Sequence, residues 1–361
     1  MRGRHSLHLP SVRDFESVTK SVSSLTHARE RTVAYPTCTH LVYGYVGVDT
    51  NADIKILDDT LVTKYNQFDQ LPKQKGTDKS LVAIGGFMHA MEIVVALDNP
   101  SLFSKNAMAF LKKYSFDGIV LEFTNGWSVD YMEKYIKLVT VLKEDFKASG
   151  YVLGSVLAAE RPGYEIDKVI EQVDFISVNT FDYNGPWHET PPQTPTGHGA
   201  SLTDITVGNK SLDGTQPYNK HLMWGKPFRK TYISLPFYGH TWKLADPTDH
   251  KIGSPASDKG PAQPFTNLPG IIGFNEVMLK MKDGGLIMEE DKVAGSVFFY
   301  KDDLWITAEV EATIKAKTNW ATTEGFGGVT VRAINYDDFN GYVTTKKHPL
   351  LTAVNEGLNK N

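Results

Sequence analysis

Seven short runs rich in β-branched and apolar residues alternate with longer segments of helical spacing, which leaves a chain of 361 residues few architectures. The runs are Thr39–Val48, Ser80–Ile84, Gly118–Phe123, Tyr151–Val156, Phe175–Thr180, Thr231–Leu235 and Gly328–Ala333. Between or after them, Asn106–Tyr114, Val129–Ala148, Ile166–Val173, Val310–Thr323 and Leu350–Leu358 repeat apolar residues at helical intervals. Parallel strands need long crossovers, and helices supply them, so the alternation predicts an α/β protein with a parallel sheet. The segment Val129–Ala148 carries Tyr131, Tyr135, Val139, Leu142 and Phe146 as one buried stripe. Seven such strands make a TIM (β/α)8 barrel that lacks its first strand. That strand is expected within residues 1–35, where Ser6–Leu9 is the best candidate.

The interval between the strands at Thr231 and Gly328 holds more sequence than one crossover helix needs. Residues 243–268 are rich in Pro, Gly, Asp and Ser and read as loop. Ile271–Met281 reads as helix and Val293–Tyr300 as strand. The expected organisation is a barrel over 1–239, a small α+β insertion over 240–315, and barrel completion over 316–361.

Composition sets limits on partners. A formal net charge of −4 offers no basic footprint for nucleic acid, and no apolar run approaches the length of a membrane span. The first residues, Met1 to Leu9, include basic side chains but no apolar core of a signal peptide. The single cysteine, Cys38, has no internal disulfide partner and no surrounding ligand set with metal spacing, so neither a metal nor a cofactor is expected. The triplet Asn209-Lys210-Ser211 makes Asn209 a candidate glycosylation site if the chain is secreted.

Residues 116–125 carry the chemistry in question. Phe116-Asp117-Gly118-Ile119-Val120-Leu121-Glu122-Phe123-Thr124-Asn125 resembles the family 18 glycoside hydrolase signature Phe-Asp-Gly-x-Asp-x-Asp-Trp-Glu-Tyr. Five further segments resemble that family in order: Thr37 to Tyr45, Ala83 to Phe87, Phe175 to Trp187, Pro236 to Trp242, and Gly327 to Phe339. Tyr43-Gly44-Tyr45-Val46-Gly47, together with Val120 at an acidic position, is most similar to the insect chitinase-like group that includes the imaginal disc growth factors. That kinship implies a secreted, non-catalytic protein.

The family mechanism is substrate-assisted: the sugar's own acetamido oxygen attacks, a Glu protonates the leaving oxygen, and an Asp and a Tyr orient the acetamido group. Strand alternation puts residues 120, 122 and 124 on one face, the barrel interior. There the resemblance implies degenerate catalytic positions: Val120 and Glu122 for two Asp, and Thr124 for the acid. A threonine hydroxyl is not acidic near neutral pH. Arg332 stands where the family has the Trp that floors the central sugar subsite, and is expected to ion-pair with Glu122, Asp182 or both inside the barrel.

Tyr45, Phe87, Phe123, Asp182, Tyr183, Trp187, Tyr238 and Arg332 are the candidate ligand cleft; Phe181 and His240 also replace a family Tyr and Arg. Two functions lead at this point, ahead of an enzyme of altered specificity and a storage or structural role. One is a secreted growth-factor-like or hemolymph signalling protein with a cell-surface protein partner. The other is a non-hydrolytic lectin for chitin oligosaccharides.

Overall fold

The structure is a computed structural model that describes residues 38–57, 79–86, 91–124, 129–158, 165–203 and 228–358, with residues 62, 68, 89, 205–207 and 210–212 between them. The expected first strand, with Ser6–Leu9, lies outside the described residues, as do Phe87 and Asn209.

The chain begins with β1 (His40–Val48), β2 (Ile54–Ile56) and β3 (Lys79–Gly85), then α1 (Ile93–Asp98) and α2 (Pro100–Tyr114). Next come β4 (Gly118–Glu122), α3 (Val129–Ser149), β5 (Val152–Ala158), α4 (Ile166–Gln172) and β6 (Phe175–Asn179). A short hairpin, β7 (Ile205–Val207) and β8 (Lys210–Leu212), precedes β9 (Thr231–Pro236). The second sheet is built from β10 (Tyr238–Leu244), β11 (Ala256–Lys259), β12 (Ile271–Gly273), β13 (Ile287–Asp291), β14 (Ser296–Lys301) and β15 (Leu304–Ala308), with α5 (Phe274–Lys282) between β12 and β13. The chain returns through α6 (Glu311–Thr323), β16 (Gly328–Arg332) and α7 (Pro349–Gly357).

Strands β1, β3, β4, β5, β6, β9 and β16 pair in parallel in that order, the arrangement of a TIM-barrel-like α/β fold. Each of the seven strands expected from sequence is present. Helix α3 buries Met132, Tyr135, Leu138, Val139, Leu142 and Phe146, whereas Tyr131 is only partly covered. Helix α2 starts six residues earlier than the periodicity suggests, because Pro100 occupies its first turn, where no backbone N–H is needed. The region between β9 and β16 differs more from expectation. The Gly- and Pro-rich stretch 243–268 contributes the end of β10 and all of β11, and the expected helix at Ile271 opens with β12 before α5 begins.

Two cores sit on opposite sides of the parallel sheet. Ile119, Leu121 and Phe123 face outward and join the main cluster under the helices. Val120 faces inward with Leu81, Ala83 and Val156, so period-2 alternation separates the layers as the barrel requires.

The Phe-Asp-Gly at the start of β4 is structural. Phe116 is buried, Asp117 accepts the Ser80 N–H at 2.8 Å, and a Cβ on Gly118 would lie 2.0 Å from the Val152 carbonyl oxygen. Asp337 and Asp338 serve the fold in the same way after β16. Asp337 accepts the N–H groups of Leu350 (3.2 Å) and Leu351 (3.0 Å) at the start of α7, while Asp338 accepts those of Tyr342, Val343 and Thr344.

Asp337 is fully buried, and that burial outweighs its backbone donors to push its carboxyl up to about 6. An unfolded Asp titrates near ~3.9, so between about pH 4 and pH 6 the folded state holds a proton that the unfolded state has released. Stability therefore falls as pH rises through that window. Urea unfolding of the wild type and Asp337→Asn should show the wild type losing on the order of 3 kcal/mol relative to the variant between pH 4 and pH 7. A difference that does not move with pH would exclude Asp337 as the titrating group.

Candidate functional site

The C-terminal ends of the parallel strands bring Tyr45, Glu122, Thr124, Asp182, Tyr238 and Arg332 to one end of the sheet, where barrel folds place their sites. Glu122 closes β4 and is buried, 5% exposed, with its side chain inside. Arg332 closes β16 and forks onto it: Nη1 donates to Oε2 at 2.7 Å and Nη2 to Oε1 at 2.9 Å. Tyr45 donates its hydroxyl to the same Oε2 at 2.6 Å, and Arg332 Nη2 also donates to the Tyr45 oxygen. The guanidinium carbon lies 5.4 Å from the centroid of the Tyr45 ring. Both carboxylate oxygens are thus occupied by protein donors.

The electrostatics agree with this locking. Burial disfavours the Arg332 charge, but the Glu122 carboxylate more than offsets it and holds the guanidinium above the usual arginine range. Burial also pushes the Tyr45 phenol well up, and neighbouring Glu122 adds to it, so it stays a neutral donor. Room for Tyr45 comes from glycine. Gly86 has a φ of +77°, and a Cβ there would lie 2.8 Å from the Tyr45 ring.

Below Glu122 the interior holds an aliphatic cluster of Val120, Leu81, Ala83 and Val156. Thr124 lies just past the end of β4, half-buried at the mouth. At the position that the sequence resemblance aligns with the family's acid, the side chain is an alcohol.

Asp182 forms a separate cluster. Both of its bonds fall on Oδ1, from the Tyr238 hydroxyl at 2.8 Å and from His240 Nε2 at 2.8 Å. Arg332 therefore pairs with Glu122 and not with Asp182. Burial, then the Asp182 charge, pushes the Tyr238 phenol well up. Asp182 adopts a φ of +62°, a left-handed conformation that Asp tolerates better than most residues.

Trp187 is 48% exposed, with its ring edge-on to His240 at 4.8 Å between centroids. Its loop is pinned by His188 N–H to Gln193 Oε1 (3.0 Å) and Gln193 Nε2 to the His188 carbonyl (2.9 Å). The side chain is thus presented by a fixed loop. Two cleft candidates are placed elsewhere. Phe123 points away from the interior and stacks on Tyr135 of α3 at 4.4 Å, because odd positions of β4 face the helices. Tyr183 is half-buried and packs on the main core. His240 proves more central than an isolated replacement suggests, since Asp182, Tyr238 and Trp187 all contact it.

The sequence profile of the glycosyl hydrolases family 18 matches residues 18–337. The chain belongs to this family. Among relatives, a chitinase-like mite allergen of Dermatophagoides pteronyssinus is 29% identical over 331 residues, covering 88% of this chain and 68% of the allergen. Mouse chitotriosidase-1 is 27% identical, covering 89% and 72%. The Ostrinia furnacalis group IV chitinase, solved with allosamidin, superposes with a TM-score of 0.83 at 25% identity, covering 93% of this chain and 96% of that one. Human YKL-39, described as a pseudo-chitinase with retained chitooligosaccharide binding, superposes with a TM-score of 0.82 at 23% identity, covering 92% and 94%. This family 18 fold therefore includes both chitinases and a pseudo-chitinase among its structural neighbours.

Proposed function

We propose that this chain is a non-hydrolytic chitinase-like protein that acts by interaction, as a secreted growth-factor-like or hemolymph signal engaging a cell-surface protein. The observation that carries this reading is the Arg332–Glu122 fork with Thr124 at the acid position. Removing a general acid costs on the order of 10²–10⁴-fold in rate. Here the orienting carboxylate is additionally held by a guanidinium, in the space where the family seats a sugar ring. Secretion and the growth-factor role rest on the resemblance to the imaginal disc growth factor group. No helix among the described residues is long and apolar enough to cross a membrane.

The second reading is a chitin-oligosaccharide lectin. It is favoured by Trp187, exposed beside the retained Asp182–Tyr238 pair, and by the binding described for YKL-39. Calorimetric titration with N-acetylglucosamine hexamer separates the two, with product release followed in the same sample. The interaction reading expects neither heat nor cleavage. Saturable heat without cleavage would put the lectin reading first, and cleavage would overturn both.

A further inference from the structure

Around Asp182 and His240 lies a recess that neither Arg332 nor Glu122 lines. Its walls include Asp182, Tyr238, His240, Ala308 and Glu309, and it has room for about one water-sized group. Glu309 is 4% exposed, and its Oε1 takes the ammonium of buried Lys317. Its Oε2 is buried with no hydrogen-bond partner among the described residues, which is costly for a carboxylate oxygen unless a donor reaches it. His240 donates Nε2–H to Asp182 when neutral, which makes its buried, unpartnered Nδ1 an acceptor as well. Both donors to Asp182 fall on Oδ1, so its carboxylate keeps a second oxygen for a ligand in the recess it lines.

The recess therefore offers acceptors and needs donors. Its charges are Asp182 and Glu309 against Lys317 alone, while Arg332 is matched by Glu122. A net negative, acceptor-rich space of that size suits a primary ammonium better than a hydroxyl, and it excludes an acetamido group by volume. We infer that this recess is a subsite for a primary ammonium, as carried by a glucosamine unit that lacks its acetyl group. The inference rests on the second reading in one respect, that the cleft admits a glycan; the preference for the free amine is its own.

The test is calorimetry with glucosamine hexamer and N-acetylglucosamine hexamer, at a pH where the amines are charged. The wild type is expected to bind the glucosamine hexamer at least about tenfold more tightly, the scale of a charge-assisted hydrogen bond in a desolvated site. Gly199→Ala places a Cβ against Thr307 (3.3 Å) and His240 (3.5 Å) in the recess wall without altering charge, and should abolish the preference, which non-specific attraction of a polycation would not explain. Asp182→Asn, which keeps the backbone conformation accessible, should weaken the preference if Gly199→Ala does not fold by thermal unfolding. Equal binding of the two hexamers would overturn the subsite and leave the lectin reading standing. Binding of the glucosamine hexamer alone, lost in Gly199→Ala, would support the subsite and remove the chitin lectin. Binding of neither would sink both.

Discussion

Arg332→Ala is expected to destabilise the fold by about 3 kcal/mol, the lower part of the range for breaking a buried ion pair. The cost arises at Glu122. With Arg332 gone, a carboxylate on a 4% exposed side chain keeps only the Tyr45 hydroxyl as a donor. Water can enter from the mouth, because the Arg332 side chain is itself 32% exposed, and this places the effect at the low end. Adding Glu122→Gln should return about half of the loss, since a neutral amide needs no counter-ion. Urea unfolding of the two single variants and the double variant forms a cycle whose coupling should exceed 1 kcal/mol. Near-additive changes would mean that the fork adds nothing beyond its separate residues. On the proposed non-hydrolytic reading, none of the three should cleave chitin oligosaccharides, because none introduces an acid at Thr124.

Most of the barrel was legible because the family segments that persist are those that fold. Asp117 accepts a backbone N–H from β3, Gly118 lets β4 approach β5, and Asp337 and Asp338 secure the turn and helix after β16. The positions that the resemblance aligns with substrate-contacting residues differ instead: Val120, Glu122, Thr124, Phe181 and Arg332. The Arg332–Glu122 contact joins residues 210 positions apart in sequence. It was legible only because both sit at the ends of strands whose alternation was already assigned, and because a guanidinium held inside a barrel demands a carboxylate. Phe123 illustrates the opposite failing: its motif position suggested a cleft, whereas β4 alternation, applied to it as to Val120, puts it under α3. The second sheet was the least legible part. Strand β13, Ile-Met-Glu-Glu-Asp, is largely exposed and carries no apolar alternation, and β11, Ala-Ser-Asp-Lys, has composition that single-sequence reading assigns to loop. Their strand identity comes from pairing with β14 and β10, a tertiary effect.

Lys317→Ala should be the most damaging single substitution proposed, costing about 4 kcal/mol or more. Lys317 lies on α6 with its side chain 1% exposed, and its ammonium donates to Glu309 Oε1 and to the Ala200 carbonyl. Burial holds this ammonium below the usual lysine range, with Glu309 opposing the shift, so the charge depends on its partner. Truncation would leave Glu309 uncompensated, the Ala200 carbonyl without that donor, and a void where the lysine stem packed. Lys317→Met separates these contributions. It refills most of the volume but keeps the unpaired carboxylate, so it should recover no more than about 2 kcal/mol. Combining it with Glu309→Leu removes the charge as well, and that double variant should approach wild-type stability, since apolar replacement of a buried pair is often neutral or better. The same double variant would lose the acceptor that the amine subsite requires. Recovered stability together with lost preference for the glucosamine hexamer would show that Glu309 is kept in this chain for more than folding.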